Sequence, residues 1–203
     1  MARAVRFYEA GGPDVLQVEE VAVGDPGPGE VRIRHTAVGC NFADTYFRSG
    51  YYPAQLPAGI GVEGAGTIEA IGDDVTGFAP GDRVAYNGSP LGAYSEARVM
   101  PAAPLFKLPD AISFEDAAAS TMRGLSATYW LAKTNPRMKA GDTILLHAAA
   151  GGVGLLAVQL AKLMGLRASA PCRARSRPKR RGRSVAMRSS SIAARMSRRG
   201  SRN

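Results

Sequence analysis

The apolar positions of this chain keep a two-residue period through its first half and a helical period afterwards. Ala2–Phe7 and Leu16–Val23 predict short strands on either side of a turn at Gly11-Gly12-Pro13. After a Pro/Gly loop over Gly24–Glu30, the run Val31–Val38 alternates. Val31 and Ile33 fall on one side and Arg32 and Arg34 on the other, as in a half-buried strand. Gly39–Gly61 has no period; it is polar and aromatic, with Asn41, Asp44, Tyr46, Tyr51 and Tyr52 standing among prolines. Gly64–Gly72, Asp82–Tyr86 and Ala93–Met100 supply further short strands between glycine-rich turns. Many short strands at close spacing predict a small, partly open β-barrel rather than a parallel sheet.

From Ser113 the pattern changes. Ser113-x-x-Asp116 is a capping box that opens an alanine-rich helix running to the neighbourhood of Leu131, with an interruption expected near Gly124. Pro136–Gly141 turns the chain into an apolar run with β character, Thr143–His147. The small-residue turn Ala148-Ala149-Ala150-Gly151-Gly152 follows, and then Leu155, Leu156, Gln159, Leu160 and Leu163 at helical spacing. Strand, tight turn and helix are the opening of a βαβ dinucleotide-binding unit. The backbone of Gly151, Gly152, Val153 and Gly154 can approach a pyrophosphate, and the helix N-terminus offers unpaired N–H groups at its positive dipole end. Gly151 and Gly154 hold the second and third glycines of G-x-G-x-x-G, with Ala149 at the first. Taken alone, the same corner also fits a strand–helix turn that binds nothing.

Composition changes this picture in one respect. A hydrophobic content of 45% is ample for a core. No apolar run approaches the length of a membrane span, and the N-terminus has no secretory apolar segment, so the expected compartment is the cytoplasm. The formal net charge of +9 is unevenly spread. Met1–Arg167 holds 14 Lys and Arg against 17 Asp and Glu, whereas the last 36 residues hold 12 Lys and Arg and no acid. Cys40 and Cys172 provide neither a disulfide framework nor a metal cluster.

Five motifs now stand in one order: GGPDVLQ at Gly11–Gln17, NFADTYFRSG at Asn41–Gly50, GVEGAGTIEAIG at Gly61–Gly72, GDRVAY at Gly81–Tyr86 and HAAAGGVG at His147–Gly154. In this order the chain, from Met1 to the vicinity of Arg167, resembles the zinc-independent medium-chain dehydrogenases/reductases. Within them it is most similar to NADPH:quinone oxidoreductases of the ζ-crystallin-like type. The fold class implied is mixed α/β and β. A GroES-like catalytic barrel spans 1–112, a linking helix and the first βα unit of a Rossmann domain span 113–167, and an Arg/Ser-rich tail spans 168–203. The resemblance also implies NADPH as cofactor and a homodimeric assembly.

Site residues follow from the same resemblance. Asn41, Tyr46 and Tyr52 are implied as catalytic, lining a cleft near nicotinamide and substrate. Asn41, Phe42, Asp44, Ser126, Tyr129, Gly151, Gly152, Val153 and Gly154 are implied as cofactor-binding. A tyrosine hydroxyl can donate to a carbonyl oxygen that is gaining negative charge, and an asparagine can fix an amide or carbonyl. Read from the residues alone, Tyr46, Tyr51 and Tyr52 also fit ordinary barrel packing, and for Tyr51 that is the reading kept. The related zinc alcohol dehydrogenases have a Cys where this chain has Asn41 and a His where it has Val62. Without those soft or imidazole donors there is no tetrahedral site, so no metal is expected. Cys40 reads as a buried structural cysteine, His147 as a hydrogen-bonded structural histidine, and Glu63 as a carboxylate in a structural hydrogen bond.

Hydride transfer without zinc calls for an acceptor that is already electron-poor, such as a quinone or an α,β-unsaturated carbonyl. The expected activity is therefore NADPH-dependent quinone reduction, with enoyl or 2-alkenal reduction as the alternative in the same chemistry. The tail changes what this chain can do with that activity. It has eleven Arg, one Lys, eight Ser, no acid and no aromatic residue, a composition expected to be disordered. Two readings of it stay open. One is a basic arm that binds RNA or DNA nonspecifically through phosphates, the alternative function from a different class. The other is a shifted reading frame in a GC-rich gene, favoured by the abruptness of the change inside a folding unit. After Arg167 the second parallel strand, whose end separates NAD from NADP, is expected to be missing. The activity is thus expected in a truncated, impaired form, with the dimer interface lost and apolar faces left open to aggregation.

Overall fold

The structure, a computed structural model, describes residues 1–171 and the backbone of Ala186–Arg188. The described residues divide into two compact units, 1–119 with 186–188, and 120–171.

The first unit is built from antiparallel strands, as the alternation predicts. In chain order they are β1 (Ala2–Phe7), β2 (Gln17–Val21), β3 (Glu30–Gly39), β4 (Ala58–Gly59), β5 (Glu63–Ile71), β6 (Arg83–Asn87), β7 (Ala97–Pro101) and β8 (Leu105–Lys107). A helix, α1 (Phe42–Arg48), leaves the end of β3. One sheet has the order β2-β1-β4; the other runs β3-β5-β6-β8, with β7 also paired to β3. The sheets are stitched by Val5 N–H donating to Tyr94 O at 2.8 Å and Glu96 N–H donating to Arg3 O at 2.9 Å.

β3 is the organising strand. Val31 and Ile33 point into a core with Ile68, Val84, Tyr86, Met100 and Leu105. A register shift between His35 and Ala37 then re-aims the strand. Ala37 joins Ala65, Ala85, Ala117 and Ala118 in a second core, while Val38 joins Val5, Phe7, Ala58 and Ile60 in a third. The extra turn in the backbone is what a bulge provides, and it delivers Gly39, Cys40 and Asn41 to the start of α1.

The second helix, α2 (Phe114–Thr128), begins as its capping signal predicts: Ser113 Oγ accepts the Asp116 N–H at 3.0 Å and donates to Asp116 Oδ2 at 2.7 Å. The expected interruption at Gly124 does not occur. The helix runs through it, and the irregularity is a π-helical turn at Tyr129–Lys133. A single glycine costs helix propensity of only about 1 kcal/mol, and packing of Ala127 and Leu131 on Ala157 and Ala161 outweighs it.

In the second unit β9 (Thr143–Leu145), α3 (Gly152–Leu163) and β10 (Arg167–Ser169) form a βαβ unit with β10 parallel to β9. This corrects the expectation that parallel pairing ends before a second strand. Pairing uses backbone N–H and C=O groups, so the exposed Arg167, Ala168 and Ser169 can make it without apolar side chains. Ala186–Arg188 forms β11, antiparallel to Ala37–Gly39 of β3. The rest of the tail expected to be disordered, 172–185 and 189–203, lies outside the described residues. Among the described residues no helix is long and apolar enough to cross a membrane.

Candidate functional site

The stretch without a period, Gly39–Gly61, contains α1 and all three residues implied as catalytic. Seven residues make barely two turns, too few for a periodic signal, and the helix is held by its ends. Asn41 N–H donates to Asp44 Oδ2 at 2.8 Å. The same Oδ2 accepts the Tyr94 hydroxyl at 2.8 Å, and Tyr94 Oη lies 2.9 Å from Cys40 Sγ. On its other side Asn41 Nδ2 donates to Glu63 Oε2 at 2.6 Å. Glu63 is fully buried and Asp44 nearly so. Asn41 is thereby fixed through its backbone by one buried carboxylate and through its side chain by another. Glu63 makes the structural hydrogen bond expected of it; Cys40 is half-buried rather than buried. Tyr94 was not legible as a site residue. Its ring lies close to Gly61, whose φ of +92° and closeness to the ring leave no room for a side chain. Burial, and then the Asp44 carboxylate, push the Tyr94 phenol far above its ordinary range.

Around α1 the rings pack on one another rather than into the barrel. Tyr46 is the hub: Phe42 meets it edge-on at 5.3 Å between centroids, Tyr52 at 5.2 Å and Tyr51 at 5.1 Å. Phe42 and Tyr51 are each 74% exposed and Tyr52 is 41% exposed. Barrel packing of Tyr51 is therefore not what the structure shows. It joins Tyr46 and Tyr52 in an aromatic surface, and the Tyr51-Tyr52 doublet after Gly50 was the signal for it.

Within the first unit lies a buried pair the sequence did not single out. His35 Nδ1 is 2.8 Å from Ser95 O and Nε2 is 2.8 Å from Tyr86 Oη. A carbonyl oxygen only accepts, so Nδ1 carries the proton and the Tyr86 hydroxyl donates to Nε2. Burial holds His35 down to about 4 and pushes Tyr86 up to about 12.

The remaining candidates belong to the second unit. Gly151 is the N-cap of α3, with no side chain capping the helix, so the N–H groups of its first turn remain for a ligand. Gly152 opens the helix, Val153 is half-buried in the core beneath it, and Gly154 lies so close to Ala148 O that a β-carbon could not be placed there. Ala148 takes the left-handed conformation, φ 53°, which turns the chain sharply out of β9. A turn of this shape, with backbone N–H groups at a helix start and no bulky side chain, fits the phosphates of a dinucleotide. Ser126, on α2, donates its hydroxyl proton to Met122 O at 2.9 Å, leaving its oxygen to accept. Tyr129 opens the π-helical turn and is 60% exposed. His147 is exposed in the turn after β9. Val62 is buried and apolar. No group of three or more His, Cys, Asp and Glu converges among the described residues.

Residues 27–110 match the alcohol dehydrogenase GroES-like domain. Over these residues the fold is that of an alcohol dehydrogenase GroES-like domain. The chain is 53% identical over 167 residues to a quinone oxidoreductase of Pseudomonas aeruginosa, covering 82% of this chain and 51% of that protein. Among solved structures, the quinone oxidoreductase of Pseudomonas syringae superposes with a TM-score of 0.80 at 52% identity, over 84% of this chain and 52% of that one. Escherichia coli quinone oxidoreductase complexed with NADPH gives a TM-score of 0.80 at 45% identity, over 83% of this chain and 52% of that chain. The GroES-like barrel and the opening of a Rossmann unit are thus shared with these proteins. This GroES-like chain spans about half the length of the curated relatives it matches.

Proposed function

We propose that this chain carries the acceptor site and the first phosphate cradle of an NADPH-dependent quinone reductase that works without zinc. One observation carries the reading: three tyrosines and Phe42 form an exposed aromatic surface at the helix that begins with the doubly held Asn41. Flat rings suit a flat acceptor, and offset or edge-on contacts with it are favourable by about 1 kcal/mol each. The hydroxyls of Tyr46 and Tyr52 donate to a quinone oxygen as it gains negative charge, which is where a fixed donor lowers the barrier most. Asn41 enters with its amide already oriented, so it orders the bound ring without reorganising. Asp44, turned inward, supports Asn41 and the start of α1. Gly151, Gly152, Val153 and Gly154 hold the cofactor phosphates, with Ser126 and Tyr129 completing its contacts; NADPH, when bound, supplies the hydride. The same reading places the protein in the cytoplasm. Quinone oxidoreductases among the relatives favour this reading over an enoyl reductase or a nucleic-acid-binding arm.

The test is NADPH oxidation by the purified chain, with and without a quinone and with a zinc chelator present. The expected result is a rate that requires quinone, ignores the chelator, and falls at least about tenfold below that of the Pseudomonas aeruginosa enzyme measured alongside, a deficit of at least about 1.4 kcal/mol in barrier. No quinone-dependent rate at any protein concentration, or a rate that needs Zn²⁺, overturns the proposal.

A further inference from the structure

The two edges of β3 are covered unequally. On one side β5 pairs with it from Val31 to Val38. On the other, β7 pairs only with Glu30–Arg34, followed by His35 N–H donating to Glu96 O at 2.9 Å. The chain before β7 then leaves β3 for β1, where Glu96 N–H donates to Arg3 O and Tyr94 O accepts Val5 N–H. Beyond His35 the β7 side of β3 is therefore an open edge, although Ala37, Val38 and Gly39 are buried. Buried main-chain groups need partners. Among the described residues it is β11 that pairs there: Ala186 stands opposite Gly39, Met187 opposite Val38 and Arg188 opposite Ala37.

We infer that Ala37–Gly39 is a strand-acceptor surface, and that its occupant is the chain's own segment Ala186–Arg188, added in cis. Strand addition is made by main-chain N–H and C=O groups and asks little of side chains, so a segment with no periodic apolar pattern can serve. What it excludes is proline, which has no N–H to donate and does not fit inside a ladder. Pro171 and Pro178 are the prolines of the tail, and Val185-Ala186-Met187 is the first run of three apolar residues beyond them. The partner this surface fits is a short, extended, proline-free segment that enters antiparallel to β3. An uncovered sheet edge is a template for pairing with other chains, and a short strand bounded in sequence by Arg183 and Arg188 blunts it. Gly39 lies two residues before Asn41 in the chain, so the occupant is anchored at the end of β3 that leads into the candidate site.

The inference goes beyond the quinone reading and does not need it, and its test uses neither quinone nor nucleotide. Amide hydrogen exchange of the full chain is followed by mass spectrometry. At least one amide among 186–188 is expected to exchange at least about fivefold slower than in a free peptide of the same sequence. Met187→Pro, which removes an N–H and bars the segment from a ladder, is expected to speed exchange over 37–39 by a similar factor. Ala193→Pro, a proline placed elsewhere in the tail, leaves exchange over 37–39 unchanged. Diluting the protein leaves the protection in place, because the strand comes from the same chain. Protection lost on dilution means that a second copy supplies the strand, and overturns the inference. Free-peptide rates at 186–188 overturn it too, as does exchange over 37–39 that ignores Met187→Pro or responds equally to Ala193→Pro. Should Met187→Pro lose its cooperative melt, the unaltered chain compared with the peptide, and its dilution series, decide alone.

Discussion

At the scale of single residues, the molecule spends buried polar groups on holding a few side chains still. His35 is the case with a measurable signature. An unfolded histidine titrates near 6.5, and burial brings the folded one down to about 4. Between those values the unfolded chain binds a proton that the folded chain refuses, so acidification favours unfolding. The stabilisation is fully present above pH 6.5 and is lost as the pH falls through the folded value, by about 3 kcal/mol over the window. Urea midpoints taken at steps across that window should fall accordingly, and His35→Gln should flatten this part of the profile. The residue-level reading of the sequence singled out Asn41, Tyr46 and Tyr52 through motif resemblance. It missed Tyr94 and His35, because neither sits in a distinctive pattern: what marks them is a hydrogen bond to a residue 50 or 60 positions away.

Elements were legible in proportion to their length and regularity. β1 has the bounds its alternation predicts, and β3 and β5 differ from prediction by a residue at either end. The strand expected over Ala93–Met100 starts only at Ala97, since Ala93 and Tyr94 spend their N–H groups on Gly61 and Ile60. α1 was invisible because its stability comes from its buried cap and not from a repeating apolar face. α2 was legible because its cap is local. That cap gives a direct check: Ser113→Ala removes the acceptor of the Asp116 N–H and should destabilise the chain by about 1 kcal/mol, read as a lower urea midpoint with an unchanged slope. The glycine corner was read correctly as strand, turn and helix, whereas the parallel strand β10 was not foreseen, because its exposed side chains carry no apolar signal.

For the whole molecule the decisive fact is a mismatch between what the second unit makes and what it covers. Among the described residues it has two parallel strands, and parallel sheets are ordinarily buried on both faces. Leu163 is 85% exposed, Leu145 62% and Leu155 46%. The expected outcome is association that grows with concentration. Light scattering should show an average mass rising above that of one chain, and Leu145→Lys with Leu163→Lys together should bring it back toward one chain without lowering the melt of the barrel.

What the sequence settled by itself was local or repetitive: the β-rich first unit, the cap of α2, the glycine corner, the change of charge near Arg167, and the absence of zinc donors at Asn41 and Val62. Each depends on neighbours in the chain or on a short motif, and side-chain chemistry is enough to read it. What only the tertiary structure decided was how distant groups meet. The bulge in β3, the burial of Glu63 and Asp44, the aromatic surface around Tyr46 and the place of Tyr94 between Asp44 and Cys40 all depend on hydrogen bonds and packing across strands. Sequence order does not encode those distances.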